Sequence, residues 1–384
     1  MALYELAILG DPTPEQRGVL ATTLAEHVVP FGLELGRDIT LHDASSVPTH
    51  PTHAAFASVF FAGIQLNGLD VARRLLGASI PVIPVLPSGG NFADLPVELR
   101  SVNGLKIRDD DPQLVELAAA LLECVGLLRK QRRAFVSYRR TEARAAAAQI
   151  HDLLAAKAFD VFLDTHDIRP GDPFQDVLWH RLCDSDVMVM LDTPTYFEST
   201  WTRQELARAR AKDIQVLRVV WPGHSPDPRT NLAETVYLDR SELSGPDGPI
   251  SDQVADRLVL AVENLRSRAI AARYMAVTGK FRAELDVMGA TVQGIGAHRA
   301  MSVRKVDGEI FWAYPVVGIP TADIFNDIAD KASRAHQANA PILVYDHVGI
   351  HGQWAAHLQW LDDNISTVRA VKAREAAWIL GGFD

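Results

Sequence analysis

Cysteine is scarce in this sequence, and long apolar runs are missing. The 384 residues include two cysteines, Cys124 and Cys183, which are too few for a disulfide scaffold and stand in apolar stretches that suit reduced thiols. The longest apolar run, residues 54–64, is too short to cross a bilayer, and no basic leader precedes the first apolar run. The sequence therefore predicts a soluble, cytoplasmic protein with no membrane partner.

Basic residues are fewer than acidic residues. Lys and Arg number 38 against 48 Asp and Glu, which gives a formal net charge of -10. No local group of Lys and Arg is large enough to attract a phosphate backbone against that charge, so nucleic acid is not an expected partner. With 48% hydrophobic and 22% charged residues, the composition excludes disordered and fibrous classes and predicts a globular protein.

The length of the chain predicts two or three folded units, at roughly 150 residues per domain. β-rich apolar runs alternate with helical patterns through the first part of the chain, and the alternation restarts at Ala134 after a cationic run at residues 129–133. The later Asp307-Gly308 pair marks a tight hairpin turn. We therefore predict three α/β domains, at residues 1–130, 131–276 and 277–384, with no role assigned to the last.

Three motifs follow one another in the predicted middle domain. The first strand ends in the Ser-Tyr pair of FVSYRR, residues 135–140. The second strand and its loop, residues 161–174, contain a Pro-Gly turn and an aromatic residue that opens the next helix. The segment STWTRQEL, residues 199–206, has a Trp followed four positions later by Glu-Leu. In this order and spacing, residues 132–270 resemble a Toll/interleukin receptor (TIR) domain of the bacterial NAD-consuming branch.

The resemblance implies a flavodoxin-like doubly wound parallel sheet and assigns roles to single residues. It implies that Glu205 is the catalytic carboxylate and that Trp201 packs against the nicotinamide end of NAD+. The other implied substrate contacts are Ser137, Tyr138, Arg139, Arg140, Asp164 and Phe174. The family's BB loop, which docks on a neighbouring domain to complete the site, corresponds here to Ile168, Arg169, Pro170 and Gly171.

The residues themselves support part of this reading. Trp201 and Glu205 are four positions apart, so on a helix they share one face with Cβ atoms roughly 5–6 Å apart. A fixed carboxylate can stabilise the oxocarbenium-like ribose formed when a nicotinamide glycosidic bond breaks. The alternative is a core Trp and a surface Glu. Similarly, Arg139 and Arg140 at a strand terminus either meet the pyrophosphate or adenine side of the dinucleotide or are solvated or paired with Asp164 or Glu142.

Together these features predict an NAD+ nucleosidase, a TIR-domain NAD+ glycohydrolase or cyclase with NAD+ as its substrate and no cofactor. The family implies activation by self-assembly into a homo-oligomer or filament through TIR–TIR contacts, an activator of unknown identity, and a role in antiphage-type defence. The alternative is a non-enzymatic TIR scaffold that polymerises or recruits partners. A third, less favoured hypothesis places a nucleotide-sensing pocket in one of the terminal domains.

The flanking segments carry weaker signals. Residues 1–130 are interpreted as a degenerate copy of the TIR fold with a role in sensing or assembly, although any doubly wound domain can show the same pattern. His347, His351 and His357 near Asp346 invite a metal site, but the spacing favours ordinary surface or core histidines, and no metal is predicted.

Overall fold

The computed structural model describes residues 2–49, 55–163, 174–231, 233–350 and 352–381. Within these ranges the chain forms three five-stranded sheets accompanied by helices, which confirms the α/β class. The chain divides into two compact units. One comprises Met1–Leu128, Ile270–His347 and Ala355–Asp384, and the other comprises Arg129–Ala269 and Val348–Trp354. The division into three domains stays a prediction, since the first unit contains two of the sheets.

The N-terminal sheet of the first unit is parallel and has the order β2-β1-β3-β4-β5. Its strands are β1 (Tyr4–Gly10), β2 (Ile39–Asp43), β3 (Ala55–Phe61), β4 (Val82–Leu86) and β5 (Leu105–Lys106), and its helices are α1 (Pro14–Val28), α2 (Leu69–Gly77) and α3 (Val115–Cys124). Strands β1 and β3 are buried along their whole length, as parallel strands covered on both faces must be. Thr13 caps α1, because the Gln16 amide donates to its hydroxyl at 3.1 Å and the Gln16 side chain accepts from the Thr13 amide.

The second unit contains another parallel sheet, of the order β10-β9-β8-β6-β7. Its elements are β6 (Arg133–Ser137), α4 (Arg144–Ala156), β7 (Asp160–Leu163), α5 (Phe174–Asp184), β8 (Val187–Asp192), α6 (Thr200–Ala211), β9 (Gln215–Val220), β10 (Glu234–Tyr237) and the long α7 (Asp252–Val287), which continues into the first unit. This is the doubly wound order expected from the sequence. The N-terminal sheet has the same order, and its interpretation as a degenerate TIR fold remains a prediction.

The C-terminal sheet of the first unit is mixed. Its strands are β11 (Thr291–Ile295), β12 (Met301–Arg304), β13 (Ile310–Val316), β14 (Ile342–Tyr345) and β15 (Arg369–Lys372), in chain order, and its helices are α8 (Ala322–Arg334), α9 (Gly352–Asn364) and α10 (Ala376–Leu380). The hairpin predicted from Asp307-Gly308 joins the antiparallel strands β12 and β13, and Gly308 has the positive φ of 89° that the turn needs.

Both cysteines are buried and free, as expected. No helix in the described ranges has both the length and the apolar composition needed to span a membrane.

Two buried ion pairs hold α7 against the amino-terminal edge of the second unit's sheet. Arg132, just before β6, donates to both carboxylate oxygens of Glu263 at 3.0 and 2.6 Å. Arg266, on the same helix as Glu263, donates to Asp186 just before β8 at 3.2 Å. Both arginine side chains are 0% exposed. Because each arginine charge is removed from water, it is stable in this position only while its carboxylate partner compensates it.

We expect Glu263→Gln to lower the free energy of unfolding by about 3–5 kcal/mol, because the Arg132 charge is left buried without its carboxylate. The matched control is Asp160→Asn, which breaks a surface pair with Arg181 at 3.1 Å and is expected to change stability by less than about 1 kcal/mol. Chemical denaturation of the full chain measures both. An equal loss of unfolding free energy in the two variants would contradict a special role for the buried Arg132–Glu263 pair.

A charge cluster whose side chains are partly buried lies in the first unit. Glu123 on α3 accepts from His298 at 2.6 Å and from Lys331 on α8 at 2.5 Å. Burial alone would raise the pKa of Glu123, but the hydrogen bonds and charges of these two partners lower it to about 2. Folding thus favours the ionised carboxylate over its protonated form.

This cluster predicts a defined pH dependence. A carboxylate whose folded pKa is depressed contributes stability above its ordinary value of 4.5, and that contribution is lost as the pH falls toward about 2. We expect Glu123→Gln to unfold at a lower temperature than the unmodified protein at about pH 7, with the difference narrowing at about pH 3. The exposed Asp109→Asn variant should match the unmodified protein at both pH values. A difference that persists in acid would show that the lost stability does not come from ionised Glu123.

Candidate functional site

The second unit's sheet has its topological switch point at β6, which lies between β7 and β8. In open parallel sheets of this kind, the crevice beyond the carboxyl ends of the strands is the usual ligand site. Strand β6 ends at Ser137, and β8 pairs beside it up to Ser137↔Met190 before it continues to Asp192. The Ser-Tyr pair predicted to end the first strand therefore lies at this crevice.

A cleft of about 430 Å³ opens here, a size suited to a small-molecule ligand. It is lined by Tyr138, Arg139, Arg140, Thr141, Leu178, Ser199, Trp201, Thr202 and Glu205. Two of the three motifs identified in the sequence thus contribute to one cleft, although their residues are about 60 positions apart in the chain.

Helix α6 presents Trp201 and Glu205 to different depths of this cleft. Trp201 is 43% exposed, whereas Glu205 is only 3% exposed. Buried Leu206 and Ala209 anchor the helix in the apolar core, and the Thr202 hydroxyl donates to the backbone oxygens of the turn that precedes the helix. The Trp ring thus forms the mouth of the cleft and the carboxylate lies at its floor, so the surface-Glu alternative is wrong for the position of Glu205.

A buried chain of hydrogen bonds ends on the Glu205 carboxylate. The Ser137 hydroxyl donates to Glu205 Oε2. The Tyr196 hydroxyl lies 2.6 Å from Ser137 Oγ, and because the Ser137 proton is committed to the carboxylate, Tyr196 is the donor of that bond. Burial raises the pKa of Tyr196 well above its ordinary value, and the negative charge of Glu205 adds to the effect. Tyr196 therefore stays a neutral donor.

Sequence reasoning missed Tyr196. It lies in the turn at Tyr196–Glu198 between β8 and α6, and it is 0% exposed. Its partner Ser137 is 59 positions away in the chain, so no local pattern links the two. The available signal was its place in the chain, between a predicted strand end and the helix that carries Trp201.

The two predicted arginines both line the cleft, but Arg139 has a charged partner that the sequence did not indicate. Its guanidinium lies 3.7 Å from the exposed carboxylate of Glu198. Glu142 instead accepts from the Thr195 amide at 3.1 Å. Burial alone would raise the pKa of Glu142, yet the Thr193 side chain, hydrogen bonding at Thr195 and the charge of nearby Arg139 keep it below the usual value. Glu142 thus stabilises the turn that contains Tyr196.

Part of the predicted site lies outside the residues that the structure describes. Asp164 and the BB-loop residues Ile168, Arg169, Pro170 and Gly171 lie outside the described residues, as does His351. Phe174 begins α5, but its side chain lies outside the described part. Among the described residues, no group of three or more His, Cys, Asp or Glu is arranged to hold a metal ion.

Comparison with known proteins agrees with this geometry. Residues 134–258 match the family model of the TIR domain, so the second unit of this chain contains a TIR domain, as the motifs indicated. No curated protein matches the chain. One similar solved structure, described as a tagatose-6-phosphate ketose/aldose isomerase from Clostridium novyi NT, is 8% identical over 71% of this chain and 78% of that chain, with a TM-score of 0.20. A similarity this weak carries no argument about function.

Proposed function

We propose that the TIR domain cleaves the bond between nicotinamide and ribose in NAD+, as a glycohydrolase or cyclase, with Glu205 as the catalytic residue. The observation that carries the proposal is a carboxylate 3% exposed at the floor of a cleft whose mouth is an exposed Trp. A carboxylate is buried only when its environment supplies partners, and such groups concentrate at functional sites.

The proposed reaction needs little from the protein apart from charge and orientation. The glycosidic C–N bond breaks and its electron pair leaves with nicotinamide, which departs as a neutral molecule and needs no general acid. Positive charge then develops at ribose C1′, where the Glu205 carboxylate stabilises it. In hydrolysis, water attacks C1′ and forms the new C–O bond. In cyclisation, an adenine nitrogen attacks C1′ instead. One proton is released in either case.

The other cleft residues fit the two ends of such a substrate. The exposed face of Trp201 offers a flat surface on which the nicotinamide ring can stack. Arg139 and Arg140 supply guanidinium groups for the pyrophosphate, and Tyr138 also lines the cleft. The proposed contacts of Asp164 and Phe174 rest on the family resemblance alone.

Self-assembly is part of the same proposal. TIR domains commonly self-associate, and we propose that a homo-oligomer or filament formed through the BB loop switches the activity on in response to an activator, in bacterial antiphage-type defence. The competing function, a TIR scaffold without catalysis, assigns the same surface to assembly but gives the cleft no substrate.

The first test measures nicotinamide release. We expect the purified full chain to release nicotinamide from NAD+ when a crowding agent promotes its assembly, and less without that agent, and we expect Glu205→Gln to lower kcat by about 10²–10³-fold or more. The matched control is Asp152→Asn, which neutralises an exposed carboxylate on α4 and should leave the rate unchanged. No release by the unmodified chain in any condition would favour the scaffold, and equal rates in the two variants would refute the role of Glu205.

The second test addresses the positioning residues. Ser137→Ala removes the donor that favours ionised Glu205, so we expect kcat to fall about tenfold and the acidic limb of the pH–rate profile to move to higher pH. Tyr196→Phe should shift the limb in the same direction by less, because it acts through Ser137. Tyr237→Phe, at an exposed tyrosine on β10, is the control. A lower rate with an unmoved acidic limb would indicate a merely structural role for the chain of hydrogen bonds.

A further inference from the structure

The N-terminal sheet of the first unit has a cleft of its own at its switch point. Strand β1 lies between β2 and β3, so the crevice is expected beyond the carboxyl ends of these three strands. A cleft of about 720 Å³ lies there. Its walls come from the segments that follow the three strands, around Asp11, Asp43 and Gly63. The first part of the chain thus places an open cavity where doubly wound sheets bind their ligands.

One wall of this cleft is held rigidly by Asp11. Its carboxylate accepts from the backbone amides of Gln65 at 2.6 Å and Leu66 at 3.1 Å, and from the side-chain amide of Asn67 at 2.9 Å. Gly63 leaves no room for a side chain, because a Cβ there would lie 2.3 Å from Asp11 Oδ2. The loop after β3 is therefore fixed in shape before any ligand arrives, and Asp11 is used for structure.

Three other side chains of this cleft are available to a ligand, and they are basic, acidic and apolar. Arg17, near the start of α1, is exposed and lines the cleft. Asp43 ends β2, and its Oδ1 accepts from the Ser45 amide at 2.9 Å, the Ser45 hydroxyl at 2.7 Å and the Ser46 amide at 3.0 Å, so its Oδ2 is the oxygen offered to a ligand. These hydrogen bonds lower the pKa of Asp43, so the carboxylate is ionised near neutral pH. Ile64 is 98% exposed at the rim and offers an apolar surface.

We propose that this cleft binds a nucleoside monophosphate, with Arg17 on the phosphate, Asp43 on the ribose hydroxyls and Ile64 against the base. In the dinucleotide-binding form of the doubly wound fold, an acidic residue further along the chain hydrogen-bonds a ribose hydroxyl, and Asp43 at the end of β2 offers a carboxylate for the same contact. A guanidinium pairs well with phosphate oxygens. The two carboxylates disfavour a bare anion, so the ligand needs the sugar as well as the phosphate.

This proposal is independent of the proposed NAD+ cleavage, which uses residues of the second unit. AMP is a suitable probe because it has no nicotinamide bond to cleave. Titration calorimetry of the full chain with AMP, adenosine and inorganic phosphate should show binding of AMP, weaker binding of adenosine, and no binding of inorganic phosphate.

Substitutions locate the binding. We expect Arg17→Ala and Asp43→Asn each to weaken AMP binding about tenfold or more, from the loss of a charge-assisted contact. Binding of adenosine should respond to Asp43→Asn and not to Arg17→Ala. The matched control is Arg334→Ala, which removes an exposed arginine on α8 and should leave AMP binding unchanged. Both changed cleft residues are exposed, and thermal unfolding of each variant verifies that it folds.

Three results would overturn the proposal. The first is no AMP binding at millimolar concentration. The second is binding lost in Trp201→Ala and retained in Arg17→Ala and Asp43→Asn, which would place AMP in the TIR cleft. The third is equal weakening in Arg17→Ala and Arg334→Ala, which would indicate unspecific attraction to positive charge.

Discussion

The hydrogen bond from Ser137 to Glu205 is the interaction on which the site depends. It joins the last residue of β6 to the second turn of α6, two elements that meet only because the sheet is doubly wound. A buried carboxylate without a donor is costly, and a buried serine hydroxyl needs an acceptor. Each residue therefore supplies the other with a hydrogen-bond partner, and the Tyr196 hydroxyl donates to Ser137, whose own proton points to the carboxylate.

The second unit has its buried ion pairs and its cleft at opposite ends of the same strands. The buried pairs of Arg132 with Glu263 and of Arg266 with Asp186 lie at the amino ends of β6 and β8. The cleft lies at the carboxyl ends of the same strands. Because residues 134–137 of β6 and all of β8 are buried, the amino-edge pairs can fix the register of β6 and β8 without taking part in ligand contact.

The features that could be predicted from the sequence are those that depend on patterns of neighbouring residues. Strand and helix alternation gave the α/β class and the order of elements, Asp307-Gly308 predicted the β12–β13 hairpin, and the four-residue spacing of Trp201 and Glu205 placed both on one helix. The sequence could not predict contacts across long separations. The role of Tyr196 depends on Ser137, and the partner of Arg139 is Glu198, both set by how the turn after β8 folds over β6. The joining of Val348–Trp354 to the second unit is likewise non-local: Trp354 stacks on His180 with ring centroids 3.7 Å apart.

The contrast in depth between Trp201 and Glu205 constrains how such a site could work. Charge stabilisation by a carboxylate is strongest where water is excluded, and the floor of the cleft meets that condition. The mouth does not, because the Trp ring is 43% exposed and Arg139 is engaged with a carboxylate on the surface. A dinucleotide stacked on that ring would remain wet on its outer side. A second protein surface laid over the mouth would remove this water, so assembly and catalysis would be coupled through solvent exclusion, with no rearrangement of Glu205 required.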